Sequence, residues 1–198
     1  MSRHWKNNDL SKSFLCSARK RFTFLEGMKL LIRKAKLEDA AGIAKVHVDS
    51  WRTTYKGIVS DTYLDSLSYE EREQNWKRGI EHNHIYIATD FNGEIIGFAS
   101  GGKERTGKYA AYVGELYAIY LLEGQQGKGF GRMLFKAVVD DLKEKEFNSM
   151  LIWALEENPA CHFYEALGGK KVDTAEIEID GKKLSEIAYG WDDLSNSF

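Results

Sequence analysis

One proline and two cysteines are all that 198 residues hold of those two types. Proline breaks helices and inner strands, so its scarcity leaves long uninterrupted elements open to this chain. Cys16 and Cys161 are too few for a disulfide framework, and with His47, His82 and His84 they show no metal-ligand spacing. A reducing, cytoplasmic setting is the expectation. Also missing is any apolar run near the ~18 residues of a membrane span. Positive charge is not in excess either: 28 basic against 30 acidic residues give a net charge of −2. That balance argues against nucleic acid held by its backbone. Neither a membrane nor a nucleic acid is therefore an expected partner.

What is present is the mix of a soluble globular domain, 43% apolar and 29% charged. A chain of this length buries roughly 70% of its unfolded surface in one domain. Residues 1–27 differ from the rest. Arg3, Lys6, Lys12, Arg19, Lys20 and Arg21 face only Asp9 and Glu26, without sustained periodicity. They read as a loosely ordered or non-native extension with no continuous apolar core for a secretory signal. Met28 directly precedes the first clean strand, so the domain is expected to span 28–198.

Within it, residues 30–35 read as a strand and 36–55 as a helix, with Ile43, Val46, Trp51 and Tyr55 at helical spacing. Shorter helices follow over 60–67 and 69–82. Residues 84–91 and 94–101 alternate as strands around Asn92-Gly93, a hairpin signal, and 111–122 form the next strand. A helix from Phe130 carries an apolar stripe of Phe130, Met133, Leu134, Ala137, Val138 and Leu142. Residues 150–155 are wholly apolar, as in a strand covered on both faces. Asn158-Pro159 opens a short helix that Gly168-Gly169 stops, and Asp180-Gly181 joins strands at 170–179 and 182–191. The pattern is α+β, with hairpins, one crossover and a final hairpin.

Gln126-Gly127-Lys128-Gly129-Phe130-Gly131 sits between a strand and a helix. The first turn of a helix has unpaired N–H groups and a partial positive charge, which suit phosphate. Lys128 and Arg132 add positive charge at the rim, and glycines let phosphate approach the backbone. A P-loop would need Gly, four residues, then Gly-Lys-Ser/Thr; here Gly129 stands where the hydroxyl belongs. A dinucleotide fingerprint fails on spacing and on its place after antiparallel hairpin strands.

Gln-x-x-Gly-x-Gly, here Gln126, Gly129 and Gly131, resembles the acetyl-CoA motif of the GNAT N-acetyltransferase superfamily. The segment from Asn158 to Gly169, with Phe163, Tyr164, Leu167 and Gly168, resembles the family's second signature, and the likeness covers about residues 28–192. Residues 51–57 and 64–67 resemble a bacterial subgroup whose substrates are mostly undefined. Glu123-Gly124 stands where many relatives have proline. The resemblance implies a mixed central sheet of about six to seven strands with flanking helices and a splayed central strand pair. It implies acetyl-CoA as cosubstrate, with pyrophosphate in the turn from Gln126 through Gly127, Lys128, Gly129, Phe130 and Gly131 to Arg132. The pantetheine arm would run beside Ile119, Tyr120 and Leu121, with Asn158 as a further contact. A homodimer through exposed strands is common in the family.

Acetyl transfer to an amine needs a free nitrogen lone pair, a donor for the oxyanion and a proton for the leaving thiolate. Glu115 lies 11 residues before Gln126, the offset of a catalytic glutamate in family members, and is the candidate base; the alternative is a solvent-facing strand glutamate. Tyr164, at the family's tyrosine position, is the candidate acid. The backbone N–H of Ile119 or Tyr120 is the candidate oxyanion donor. Trp51, Tyr55, Tyr63 and Tyr117 either line the acceptor pocket or belong to the core. Cys161 reads as core, since direct transfer needs no acyl-enzyme. The expected activity is N-acetylation of a small primary amine. A protein or peptide amine as acceptor, and a non-catalytic acyl-CoA sensor, are the alternatives.

Overall fold

Strand alternation and turn chemistry build a single mixed sheet. The computed structural model describes residues 31–82 and 84–195. The expected extension at 1–27, Met28 and Leu30 lie outside the described residues. The strands are β1 (Leu31–Lys34), β2 (His84–Thr89), β3 (Ile95–Lys103), β4 (Gly114–Leu121), β5 (Met150–Leu155), β6 (Lys170–Ile179) and β7 (Lys182–Trp191). The α-helices are α1 (Ala40–Thr54), α2 (Asp61–Ser66), α3 (Tyr69–His82), α4 (Phe130–Glu144) and α5 (Ala160–Ala166). The sheet order is β1-β2-β3-β4-β5-β7-β6. Every pairing is antiparallel except β4 with β5.

Local chemistry accounts for the joints. In the β2–β3 turn the Asp90 carboxylate accepts the N–H groups of Asn92 and Glu94, both at 2.9 Å, and Gly93 takes a φ of 85°. Asp180 (φ 51°) and Gly181 (φ 74°) make the tight turn of the last hairpin, the left-handed pair that such turns demand. Two expectations shift. Residues 111–113 are not strand: Tyr112 N–H bonds back to Tyr109 O at 2.8 Å, and β4 starts only at Gly114. The first helix opens as a 3-10 turn, Leu37–Asp39, whose Asp39 carboxylate is clamped by Arg33 at 2.7 and 2.8 Å.

The two faces of the sheet can be read from β3. Phe98 packs with Ile43 and Val46 of α1, while a Cβ on neighbouring Gly97 would meet Leu134 of α4 at 3.1 Å. Adjacent strand residues point to opposite faces. So α1 covers one face, called the front here, and α4 covers the back. The stripe of α4 is one position off the expected one. Leu134, Phe135, Val138, Val139 and Leu142 are buried, and Met133 is 40% exposed. Asp141 is also buried; it bonds His84, accepts from Tyr86 at 3.0 Å, and pairs with Lys145 at 2.8 Å, which ties α4 to β2.

His47 on α1 gives the front face a pH signature. Its Nδ1 accepts from Trp76 Nε1 at 3.1 Å, and its ring stacks on Tyr120 at 5.1 Å. Burial lowers its pKa from 6.5 to about 3. Between those values the unfolded chain takes up a proton that the folded chain refuses. Stability is therefore expected to fall as pH drops from 6.5 toward 3, by up to about 1.4 kcal/mol per pH unit. Urea midpoints at pH 7 and pH 4.5 read this directly, and His47→Gln should flatten the slope. An unchanged slope in that variant rules out His47 as the source.

Candidate active site

The site begins with a defect in the sheet. β4 and β5 pair only at Gly114↔Met150 and Glu115↔Leu151, and then part. A bulge accompanies the parting: Ser100 faces Ala118 and Gly101 faces Leu116, so Tyr117 is an extra residue in β4. A bulge bends its strand and leaves ladder groups unpaired. Here it turns the later half of β4 away from β5 and opens a cleft of about 580 Å³ between them.

At one end of the cleft lies the glycine turn. A 3-10 turn, Glu123–Gln125, follows β4 and leads to Gln126, whose Nε2 donates to Leu121 O at 3.2 Å. Gly127 (φ 72°) and Gly129 (φ 88°) adopt left-handed backbone that other residues reach only with strain. A Cβ at either position would meet no protein atom within 4 Å, so both face open space at the start of α4. Gly131 instead packs on Phe163, 3.4 Å from a built Cβ. Lys128 Nζ folds back on Gly124 O at 2.7 Å and Gln125 Oε1 at 3.0 Å, which stiffens the turn.

The opposite wall comes from β5 and α5. Ile152, Trp153 and Ala154 line it, followed by Asn158, Phe163 and Tyr164. Asn158 Oδ1 accepts the N–H of Ala160 at 2.9 Å, a cap for α5. Its Nδ2 donates to Tyr55 Oη at 3.3 Å, and the Tyr55 ring meets Trp51 at 4.6 Å. Trp51 Nε1 donates to Tyr120 Oη at 3.0 Å. This line of side chains spans the mouth of the cleft from β4 to the start of α5 and holds the gap open. Tyr164 is 4% exposed, and its hydroxyl has no hydrogen-bond partner among the described residues. Burial pushes its pKa up, so the phenol stays protonated. A protonated donor facing an open cleft is what a departing anion needs.

Of the residues nominated from sequence, Ile119, Tyr120, Leu121, Gln126, Gly127, Gly129, Gly131 and Arg132 line the cleft together with Asn158, Tyr164, Tyr55 and Tyr117. Lys128 and Phe130 belong to the turn but not to the lining, and Trp51 stands behind Tyr120. Tyr63 packs on the cluster of Val48, Tyr55, Ile58, Leu64 and Leu184. Cys161 is buried, 3.4 Å from Leu155 O.

Glu115 is placed differently from either expectation. It is 3% exposed, not solvent-facing, and it is absent from the cleft lining. Its carboxylate accepts from Arg105 Nε and from the Arg105 N–H at 3.1 Å, and pairs with Arg105 Nη2. Arg105 lies over the Tyr117 ring at 4.5 Å. The physical reason is local: the polar loop after β3 returns its first basic side chain onto the start of β4. Glu115 then anchors that loop. Glu115→Gln should lower stability by about 1–3 kcal/mol, since Arg105 loses a buried charged acceptor. The pH profile of turnover should keep its shape; a rate loss that deepens toward low pH would instead support Glu115 as the base.

Sequence reasoning missed two groups on the front face. Trp153 reads from sequence only as one apolar strand residue among six, yet it lines the cleft and meets Tyr109 edge-on at 5.8 Å. Glu186 on β7 stands opposite Leu155, next to the parting strands. Alternation signals which face such residues take, but not what they meet there.

A profile described as Acetyltransferase (GNAT) family matches residues 42–169. The chain is 47% identical over 165 residues to "Uncharacterized N-acetyltransferase YuaI" of Bacillus subtilis (strain 168), across 83% of this chain and 94% of that one. It is 28% identical over 127 residues to an L-methionine sulfoximine/L-methionine sulfone acetyltransferase of Pseudomonas aeruginosa, covering 63% and 70% of the two chains. In fold it is similar to the PaiA N-acetyltransferase of Thermoplasma acidophilum, solved in complex with coenzyme A. The TM-score is 0.66 at 24% identity, over 81% of this chain and 98% of that one.

Proposed function

This chain belongs to the acetyltransferase (GNAT) family, and from that premise we propose that it transfers acetyl directly from acetyl-CoA to a primary amine of a small molecule. The observation that carries the reading is the cleft itself. It joins a glycine turn suited to pyrophosphate with an unpaired strand edge and an unpartnered phenol. The relative solved with coenzyme A supports the cofactor.

The residues divide the work. The N–H groups at the start of α4 and the rim cation Arg132 receive the pyrophosphate. The free edge of β4 from Ile119 to Leu121 pairs with the amides of the pantetheine arm, as an added strand would. The thioester then lies in the gap, with the backbone N–H of Ile119 or Tyr120 directed at its oxygen. The neutral amine attacks the thioester carbon with its lone pair, the surplus proton on its nitrogen passes to water, the oxyanion collapses, and the C–S bond breaks. Tyr164 gives its proton to the sulfur and regains one from water. A cleft of this volume, divided between the pantetheine arm and the acceptor, suits a small amine.

Thiol release from acetyl-CoA across a panel of polyamines, amino acids, aminoglycosides and peptides tests the reading. Release is expected only when an amine is added, and fastest with a small one. A peptide as the best acceptor would replace the small-molecule assignment, and acetyl-CoA binding without release across the panel would favour a sensor.

A further inference from the structure

β5 and β7 pair with Leu155 opposite Glu186 and Trp153 opposite Ala188. Directly opposed residues share a sheet face, so Glu186 lies on the face of Trp153 and Leu155. That face is the front, because Leu155 and Leu184 pack there with Tyr55 and Val48 of α1. Diagonal neighbours across a strand pair are about 7–8 Å apart, within reach of long side chains. The Glu186 carboxylate therefore lies beside the Trp153 wall, outside the lining of the cleft itself and one strand beyond the gap that holds the thioester in the reading above.

Glu186 is partly buried, and its carboxylate forms no hydrogen bond or ion pair among the described residues. Burial raises its pKa, and Tyr109, whose ring meets Trp153, feels its charge. A carboxylate drawn partly out of water without a counter-charge is unfavourable until a cation joins it. The aromatic faces of Trp153 and Tyr109 beside it also favour a cation. A carboxylate-bearing acceptor at this place would face the like charge of Glu186, and Arg105 nearby is already committed to Glu115.

We propose that Glu186 anchors the second, non-reacting ammonium group of a diamine or polyamine whose other amine reaches the thioester. The one-strand offset between Glu186 and the gap is what separates the anchored nitrogen from the reacting one. This inference rests on the acetyltransferase reading and names its acceptor.

Steady-state thiol release with diaminobutane, butylamine and a neutral-side-chain α-amino acid tests it. In the natural chain the diamine should exceed the monoamine at least about tenfold in kcat/KM, through KM. The α-amino acid should be the poorest of the three. In Glu186→Gln the KM for diaminobutane should rise to that for butylamine, while acetyl-CoA affinity, which reports the intact fold, stays as it was. Equal use of diamine and monoamine by the natural chain overturns the proposal, as does a diamine preference that survives in Glu186→Gln. A preference for the α-amino acid overturns it too but leaves the acetyltransferase reading standing. Failure to bind acetyl-CoA, or binding without thiol release from any amine, removes both.

Discussion

Gly129→Glu is expected to raise the Kd for acetyl-CoA by more than about 100-fold. Two effects act together. Gly129 stands at the cap of α4 with a φ of 88°, where a side chain brings strain of roughly 1–2 kcal/mol. The larger effect is placement. A Cβ there meets no atom of the described residues within 4 Å, so the new carboxylate projects into the space proposed for the pyrophosphate. It fills the cradle and repels the ligand in one step. The same openness means that the fold tolerates the change, and the unliganded melting temperature should fall by only a few degrees. Gly129→Ala separates the causes, since it carries the strain without the charge or the bulk. Its affinity should lie between the two. Titration calorimetry decides, and unchanged affinity in the glutamate variant would refute the placement of the phosphates.

Tyr164→Phe should lower kcat by about 10²–10⁴-fold. The size follows from the loss of the proton that the leaving thiolate takes in the proposed mechanism. Because the hydroxyl makes no hydrogen bond with the described residues, its removal leaves no partner stranded. The ring keeps its packing against Phe163 at 5.6 Å and Tyr189 at 5.8 Å. Stability and acetyl-CoA affinity should therefore hardly move. That split between turnover and binding is the signature of a group that acts on the reacting atoms. A variant with natural turnover would show that the thiolate leaves without help from Tyr164.

The elements that announced themselves in sequence are those with turn chemistry at both ends. β5, β6 and β7 begin and end at the expected residues, because Asn158-Pro159, Gly168-Gly169 and Asp180-Gly181 bound or join them. The α4 stripe slipped by one position because apolar residues surround more than half of the helix; periodicity alone does not choose between Met133 and Phe135. β4 started later than expected because Tyr109–Tyr112 close a turn that has no glycine or proline to mark it. The glycine turn between β4 and α4, where Gly127 and Gly129 take the left-handed backbone that such residues allow, was legible from residue types alone. The width of the cleft was not, since it depends on a bulge at Tyr117, and a bulge is a matter of register between strands. Glu115 shows the same limit. Its offset from Gln126 is plain in the sequence, but its ion pair with Arg105 depends on how a polar loop returns across the sheet.

The central claim is that the cleft between β4 and β5 binds acetyl-CoA and passes acetyl to an amine. The most direct test is to follow free thiol and N-acetylated product together, with the purified chain, acetyl-CoA and diaminobutane. The two are predicted to appear in equal amounts, only when the amine is present, and to fall together in Tyr164→Phe. Thiol released without N-acetylated product, or at the same rate when the amine is left out, would contradict it.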